Sequence, residues 1–100
     1  MIVFFDLPVT EKSAQKAAAK FRNFLVKDGY LMIQYSVYSR VCNGYDAVKT
    51  HEKRLKQHLP PNGSVRLLTI TEKQYESMQI LLGEYVQSDI PVAYEQLTLL

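Results

Sequence analysis

Residues 31–41 read LMIQYSVYSRV. Leu31, Ile33, Tyr35, Val37, Ser39 and Val41 fall on one side, and Met32, Gln34, Ser36, Tyr38 and Arg40 on the other. A period of two over this length specifies β-strand. Strands usually run about five or six residues. The stretch is therefore one long bent strand, or two short ones broken near Gln34 to Ser36.

Upstream of it lies a helix pattern ending at about Lys27. Ala14, Ala17, Ala18, Phe21, Phe24 and Leu25 recur at about 100° per residue and make one apolar face. Thr10 is placed to cap this helix, Glu11 suits its first turn, and Gly29 is a left-handed stop. Further upstream, IVFFD at 2–6 is a short strand, apolar on both faces and ended by Pro8. Downstream, Asn43-Gly44 marks a turn into a second helix from about Tyr45 to Leu59, with Val48, Leu55 and Leu59 as its seam. Pro60-Pro61-Asn62-Gly63 stops that helix, and SVRLLTIT at 64–71 is the next strand. Residues 72–77 form a turn with a few helical residues, 78–83 are a weaker strand candidate, and 93–100 alternate again.

In order these elements give an α+β chain of ferredoxin-like βαββαβ type with an extra C-terminal strand. Residues 1–83 form the core, and 84–100 are a loop and terminal strand. Helices in this arrangement cover only one sheet face, whereas residues 2–6 and 65–70 are apolar on both. A second copy is the simplest cover, giving a homodimer through the sheet face. The terminal strand, apolar and otherwise at an edge, is expected to pair with the partner subunit.

The chain has 100 residues, a size for one domain, and 47% are hydrophobic. Its formal net charge is +2, too small for a protein that coats nucleic acid through bulk charge alone. Cys42 is the only cysteine, so no intrachain disulfide forms and a reducing compartment fits. No secretory signal pattern and no apolar run of about 20 residues is present. The chain reads as a soluble cytoplasmic domain. It has no Gly-rich phosphate loop, no zinc-ligand cluster and no internal repeat.

Charge placement is more informative than the sum. Lys12, Lys16, Lys20 and Lys27 share an arc of about 80° on the first helix, away from the Phe21/Leu25 face. Lys49, Lys53 and Lys56 repeat the device on the second helix. Such stripes suit a phosphate backbone, and they equally suit an ordinary solvated face. Tyr30, Tyr35, Tyr38 and Tyr45 fit a core or dimer seam better than a base-stacking platform. Asp6, at the end of an apolar strand, fits either a turn cap or a ligand for a hard divalent cation such as Mg²⁺, with Ser36 a candidate neighbour. His51 and His58 lie seven apart without metal-spaced companions and read as surface or seam residues. Cys42 has no evident histidine partner.

FFDLP, KFRNFLVKDGYLMIQYSVYSR, RLK and GSVRLLTITEKQ with Met78 resemble the CRISPR-associated protein two family. They are most similar to its variant from systems with a single large effector nuclease. The resemblance runs over most of residues 2–83. It implies a ferredoxin-like homodimer, packed sheet against sheet with crossing C-terminal strands, that bridges two dimers of the integrase subunit, CRISPR-associated protein one, in spacer acquisition. Duplex prespacer DNA would lie along the assembly, held through its backbone. The family's strand-end metal-site aspartate corresponds to Asp6. The resemblance also implies Mg²⁺-dependent endonuclease activity on single-stranded RNA or double-stranded DNA, with Asp6 as its catalytic residue. Integration chemistry would belong to the partner. Arg22 and Arg40 join Lys12, Lys16, Lys20, Lys49, Lys53 and Lys56 as phosphate contacts, because guanidinium forks suit phosphate. A toxin-like ribonuclease acting without an integrase is the remaining reading.

Overall fold

The computed structural model describes residues 1–83. The expected loop and terminal strand at 84–100 lie outside them. Contacts divide the chain into a unit of Met1–Thr69 and a second beginning at Ile70.

The first unit holds β1 (Ile2–Asp6), α1 (Lys12–Lys27), β2 (Leu31–Gln34), β3 (Val37–Ser39), α2 (Tyr45–Gln57) and β4 (Ser64–Leu68). Its four strands make one antiparallel sheet in the order β2-β3-β1-β4. The architecture is α+β and consistent with a ferredoxin-like fold. Of the two readings of residues 31–41, the broken one is observed. Tyr35 and Ser36 make a turn, Ser36 at φ +62°, and the β2/β3 register shifts between Met32 and Gln34.

Register assigns the two sheet faces. Val3 pairs with Tyr38 and Leu67, and Phe5 with Val65. Val3, Phe5 and Tyr38 pack with Phe21 and Leu25 of α1 and Leu55 of α2. The Phe5 ring meets Phe21 edge-on at 5.2 Å and stacks on Tyr38 at 5.6 Å. On the other face Ile2 pairs with Ser39 and Leu68, Phe4 with Val37 and Arg66, and Asp6 with Ser64. That face is apolar too, and Phe4 and Leu68 remain 38% and 49% exposed.

The α1 terminus is built as the sequence indicates. Gly29 takes φ +91°, its amide donates to the Val26 carbonyl, and the Tyr30 amide donates to that of Leu25. This is a Schellman stop, with Tyr30 and Leu25 both in the core.

The start of α1 differs from expectation. Glu11, not Thr10, is the N-cap residue, no side chain caps the helix, and the first turn carries no acid. Gln15 Nε2 instead donates to the Val9 carbonyl at 2.8 Å, tying the entering loop to the helix. Three other ends shift. α2 stops at Gln57, leaving Leu59 half-exposed. β4 stops at Leu68 because its partner β1 begins at Ile2. Residues 78–83 form no strand. Leu81 and Leu82 are almost fully exposed, and no strand among the described residues pairs with this segment.

In the second unit α3 (Glu72–Glu76) is short and fully capped. Thr71 Oγ1 accepts from the Gln74 amide, and Gln74 Oε1 accepts from the Thr71 amide.

Candidate functional site

Asp6 is the last residue of β1, and its side chain is exposed on the sheet face opposite the helices. No ion pair or hydrogen bond engages its carboxylate among the described residues. The surrounding backbone is tightly fixed. Phe5 N–H donates to the Ser36 carbonyl at 3.0 Å, so the left-handed β2–β3 turn abuts the strand end. Gly63, at φ +100°, sits so close that a Cβ there would lie 2.7 Å from the Asp6 carbonyl and 2.8 Å from Leu7 Cδ2. Only glycine fits that approach. The sequence marked Asn62-Gly63 as a helix stop; its contact with the Asp6 strand end appears only in the tertiary structure.

A cleft of about 420 Å³ lies alongside, lined by Leu7 and Pro8 after β1, by the first half of α1, and by Pro60–Asn62. Its walls are mainly aliphatic and proline side chains. Among the described residues no three His, Cys, Asp or Glu side chains come together as a metal cluster. At this strand end the described residues therefore offer a divalent cation a single carboxylate, with Ser64 opposite and Ser36 at the adjoining turn. Mg²⁺ accepts so few protein ligands when it keeps its waters.

The basic residues fall into three environments. α1 carries Lys12, Lys16, Lys20, Arg22 and Lys27 and no carboxylate. Lys12, Lys16 and Lys20 are exposed and without ion pairs among the described residues, while Arg22 is half-buried. On α2, Lys49 and Lys56 share Glu52 at 3.9 and 3.2 Å, Lys49 also lies 5.2 Å from the Tyr45 ring centre, and Lys53 is exposed. Arg40 is engaged in holding the fold. Its Nε donates to the Asp28 carbonyl at 2.8 Å and its Nη1 to that of Val41 at 2.7 Å.

Two groups were not anticipated from the sequence. Asp28 is buried at the α1 C-terminus, where Arg54 contacts Oδ1 and His51 Nδ1 lies 3.0 Å from Oδ2. His51 is thus the counterpart of a buried carboxylate, locking α2 to the end of α1. The i, i+3 spacing of His51 and Arg54 on α2 was a signal, but its target was visible only in three dimensions. Beside them the Tyr30 hydroxyl is buried without a hydrogen-bond partner among the described residues. Burial, reinforced by the Asp28 charge, pushes its pKa up to about 12. The second group is Arg66, which register places on the exposed face beside Phe4, one pair away from Asp6.

His58 stacks on Phe24 with ring centres 4.0 Å apart, and its Nδ1–H donates to the Arg54 carbonyl. Cys42 Sγ lies 3.5 Å from Met1 Sδ. The Met1 ammonium donates to the Arg40 carbonyl, and burial lowers its pKa.

Comparison with known proteins follows this geometry. The family model described as CRISPR associated protein Cas2 matches residues 1–78. A protein of Acidovorax ebreus named CRISPR-associated endoribonuclease Cas2 is 57% identical over 83 residues, covering 83% of this chain and 81% of the relative. One of Campylobacter jejuni with the same name is 49% identical, covering 86% of this chain and 60% of the relative. A third, of Ligilactobacillus salivarius, is 44% identical over 87% of this chain and 86% of its own.

Proposed function

The chain belongs to the CRISPR associated protein Cas2 family, and on that premise we propose that it acts as the small subunit of a spacer-acquisition complex. In this reading two copies pair through the sheet face, bridge two dimers of the integrase subunit, and hold duplex DNA by its backbone. The observation that carries it is α1: five cations, no acid, and three exposed lysines one turn apart with no ion pairs among the described residues. Such a face binds phosphate without reading sequence, since nothing on it presents a groove-inserted fork to base edges.

A second reading is a metal-dependent endonuclease acting on RNA or DNA. It is favoured by the exposed carboxylate at the end of β1 and by the relatives' name. Asp6 would hold the cation, with the partner's copy as second ligand. A bound Mg²⁺ would supply charge against a phosphodiester and an activated water. The chain's own contribution is orientation: Gly63 and the Ser36 carbonyl fix the strand end on which the carboxylate is mounted. Among the described residues no histidine or second acid is placed beside it as general base.

One variant separates the two. Asp6→Ala is assayed for spacer acquisition with the integrase partner and, separately, for Mg²⁺-dependent cleavage of single-stranded RNA and duplex DNA. Acquisition is expected to survive at protein concentrations where the variant is still dimeric. Loss of both activities in a correctly folded, dimeric variant transfers the function to the nuclease reading.

A further inference from the structure

The face of the sheet turned away from the helices has an unusual charge composition. Reading across β1 and β4, its side chains are Ile2 with Leu68, Phe4 with Arg66, and Asp6 with Ser64. β3 adds Ser39 and Val37, and β2 adds Leu31 and Gln34. Amid these apolar and neutral residues stand one carboxylate and one guanidinium. They occupy diagonal positions on neighbouring strands, a Cα separation of about 7–8 Å. Nevertheless they make no ion pair with each other, and neither has any other partner among the described residues. Both are exposed, as are Phe4 and Leu68 between and beside them.

A guanidinium on the edge strand β4, opposite Phe4, is harmless in water. It becomes costly once that face is covered, because an unpaired buried charge loses its hydration without return. The proposed function covers this face with a second copy. A two-fold interface is isologous, so each charge meets the same set of side chains from the other subunit. Among the described residues that set contains one anion, Asp6.

We propose that Asp6 and Arg66 form the ionic centre of the subunit interface, each carboxylate receiving the guanidinium of the opposite subunit. The inference rests on the two-subunit reading and sharpens it: Asp6 is then a docking residue. A guanidinium bound to the carboxylate competes with a cation for the same oxygens, which places the scaffold ahead of the nuclease. Phe4 and Leu68 supply the apolar surround that excludes water from the pair.

The test mixes two variants of the full chain. Asp6→Asn removes the anion and leaves Arg66. Arg66→Met removes the cation and keeps a chain of similar length. Both positions are exposed in the isolated subunit, so folding is checked by circular dichroism and is expected to hold. Each variant alone has two uncompensated charges per dimer, and its dimer should dissociate at least tenfold more readily than wild type in sedimentation. Mixed, they should form heterodimers well beyond the statistical half. One interface site then keeps Asp6 opposite Arg66, and the other holds Asn opposite Met. The Asp6→Asn/Arg66→Met double variant should likewise recover dimerisation relative to either single change.

Statistical mixing, with single effects that simply add in the double variant, overturns the pair while leaving the dimer intact. A wild-type chain that stays monomeric at high concentration overturns the two-subunit reading itself, and the pair with it.

Discussion

Gly63 shows how much of the Asp6 site depends on a residue without chemistry of its own. At its φ of +100° an added Cβ would lie 2.7 Å from the Asp6 carbonyl oxygen, which leaves no room for one. Gly63→Ala is expected to cost about 2–3 kcal/mol through backbone strain, read as a lower urea midpoint, and to weaken every activity that depends on Asp6. Tyr30 gives the opposite case, a polar group whose removal helps. Its hydroxyl is buried and has no partner among the described residues, so Tyr30→Phe should be neutral or stabilising by up to about 1 kcal/mol. The pH dependence follows from the same burial. The folded state holds the phenolic proton up to a pKa of about 12, against an ordinary 10. Between those values the folded state binds more proton than the unfolded one, so its contribution is full below pH 10 and is lost as pH rises toward 12. Equilibrium unfolding across that range should show an alkaline decline that is shallower in Tyr30→Phe.

At the scale of elements, the two basic helices are not equivalent. α1 has no acid, whereas Glu52 sits between Lys49 and Lys56 on α2. Exposed pairs of this kind add little stability, but they reduce the charge offered to phosphate. Replacing Lys12, Lys16 and Lys20 by alanine should weaken duplex binding and lower the magnitude of its log–log salt slope by about 2–3. The corresponding change at Lys49, Lys53 and Lys56 should lower it by about 1. Equal slopes for the two triple variants would show that the helices contribute alike. Helix spacing alone drew both stripes with the same weight, because it registers where lysines fall and not which neighbours neutralise them. Arg40 illustrates the same limit: the sequence shows a guanidinium next to a strand end, and only the fold shows its Nε and Nη1 donating to the Asp28 and Val41 carbonyls.

For the molecule as a whole, the decisive feature is the sheet face left open among the described residues. If a second copy covers it, stability includes an association term, and the thermal midpoint should rise with protein concentration. A midpoint independent of concentration over a hundredfold range, with wild type and Asp6→Asn alike, would count against both the dimer and its ionic centre. No helix among the described residues is long and apolar enough to cross a membrane.

As far as β4, and apart from whether residues 31–41 make one strand or two, the order of elements was determined by the sequence alone. Period-two and period-3.6 patterns are local, and Gly29, Asn43-Gly44 and Pro60–Gly63 punctuate them through backbone geometry that each residue carries with it. The apolar content of both faces of β1 was equally legible, as was Asp6 as the odd residue at its end. Only the tertiary structure decided which residues meet. Strand register put Arg66 beside Phe4 and one pair from Asp6, helix docking brought His51 and Arg54 onto Asp28, and close approach reserved position 63 for glycine. These are contacts between residues tens of positions apart, and no periodicity records them, because they are set by how packed elements share one core.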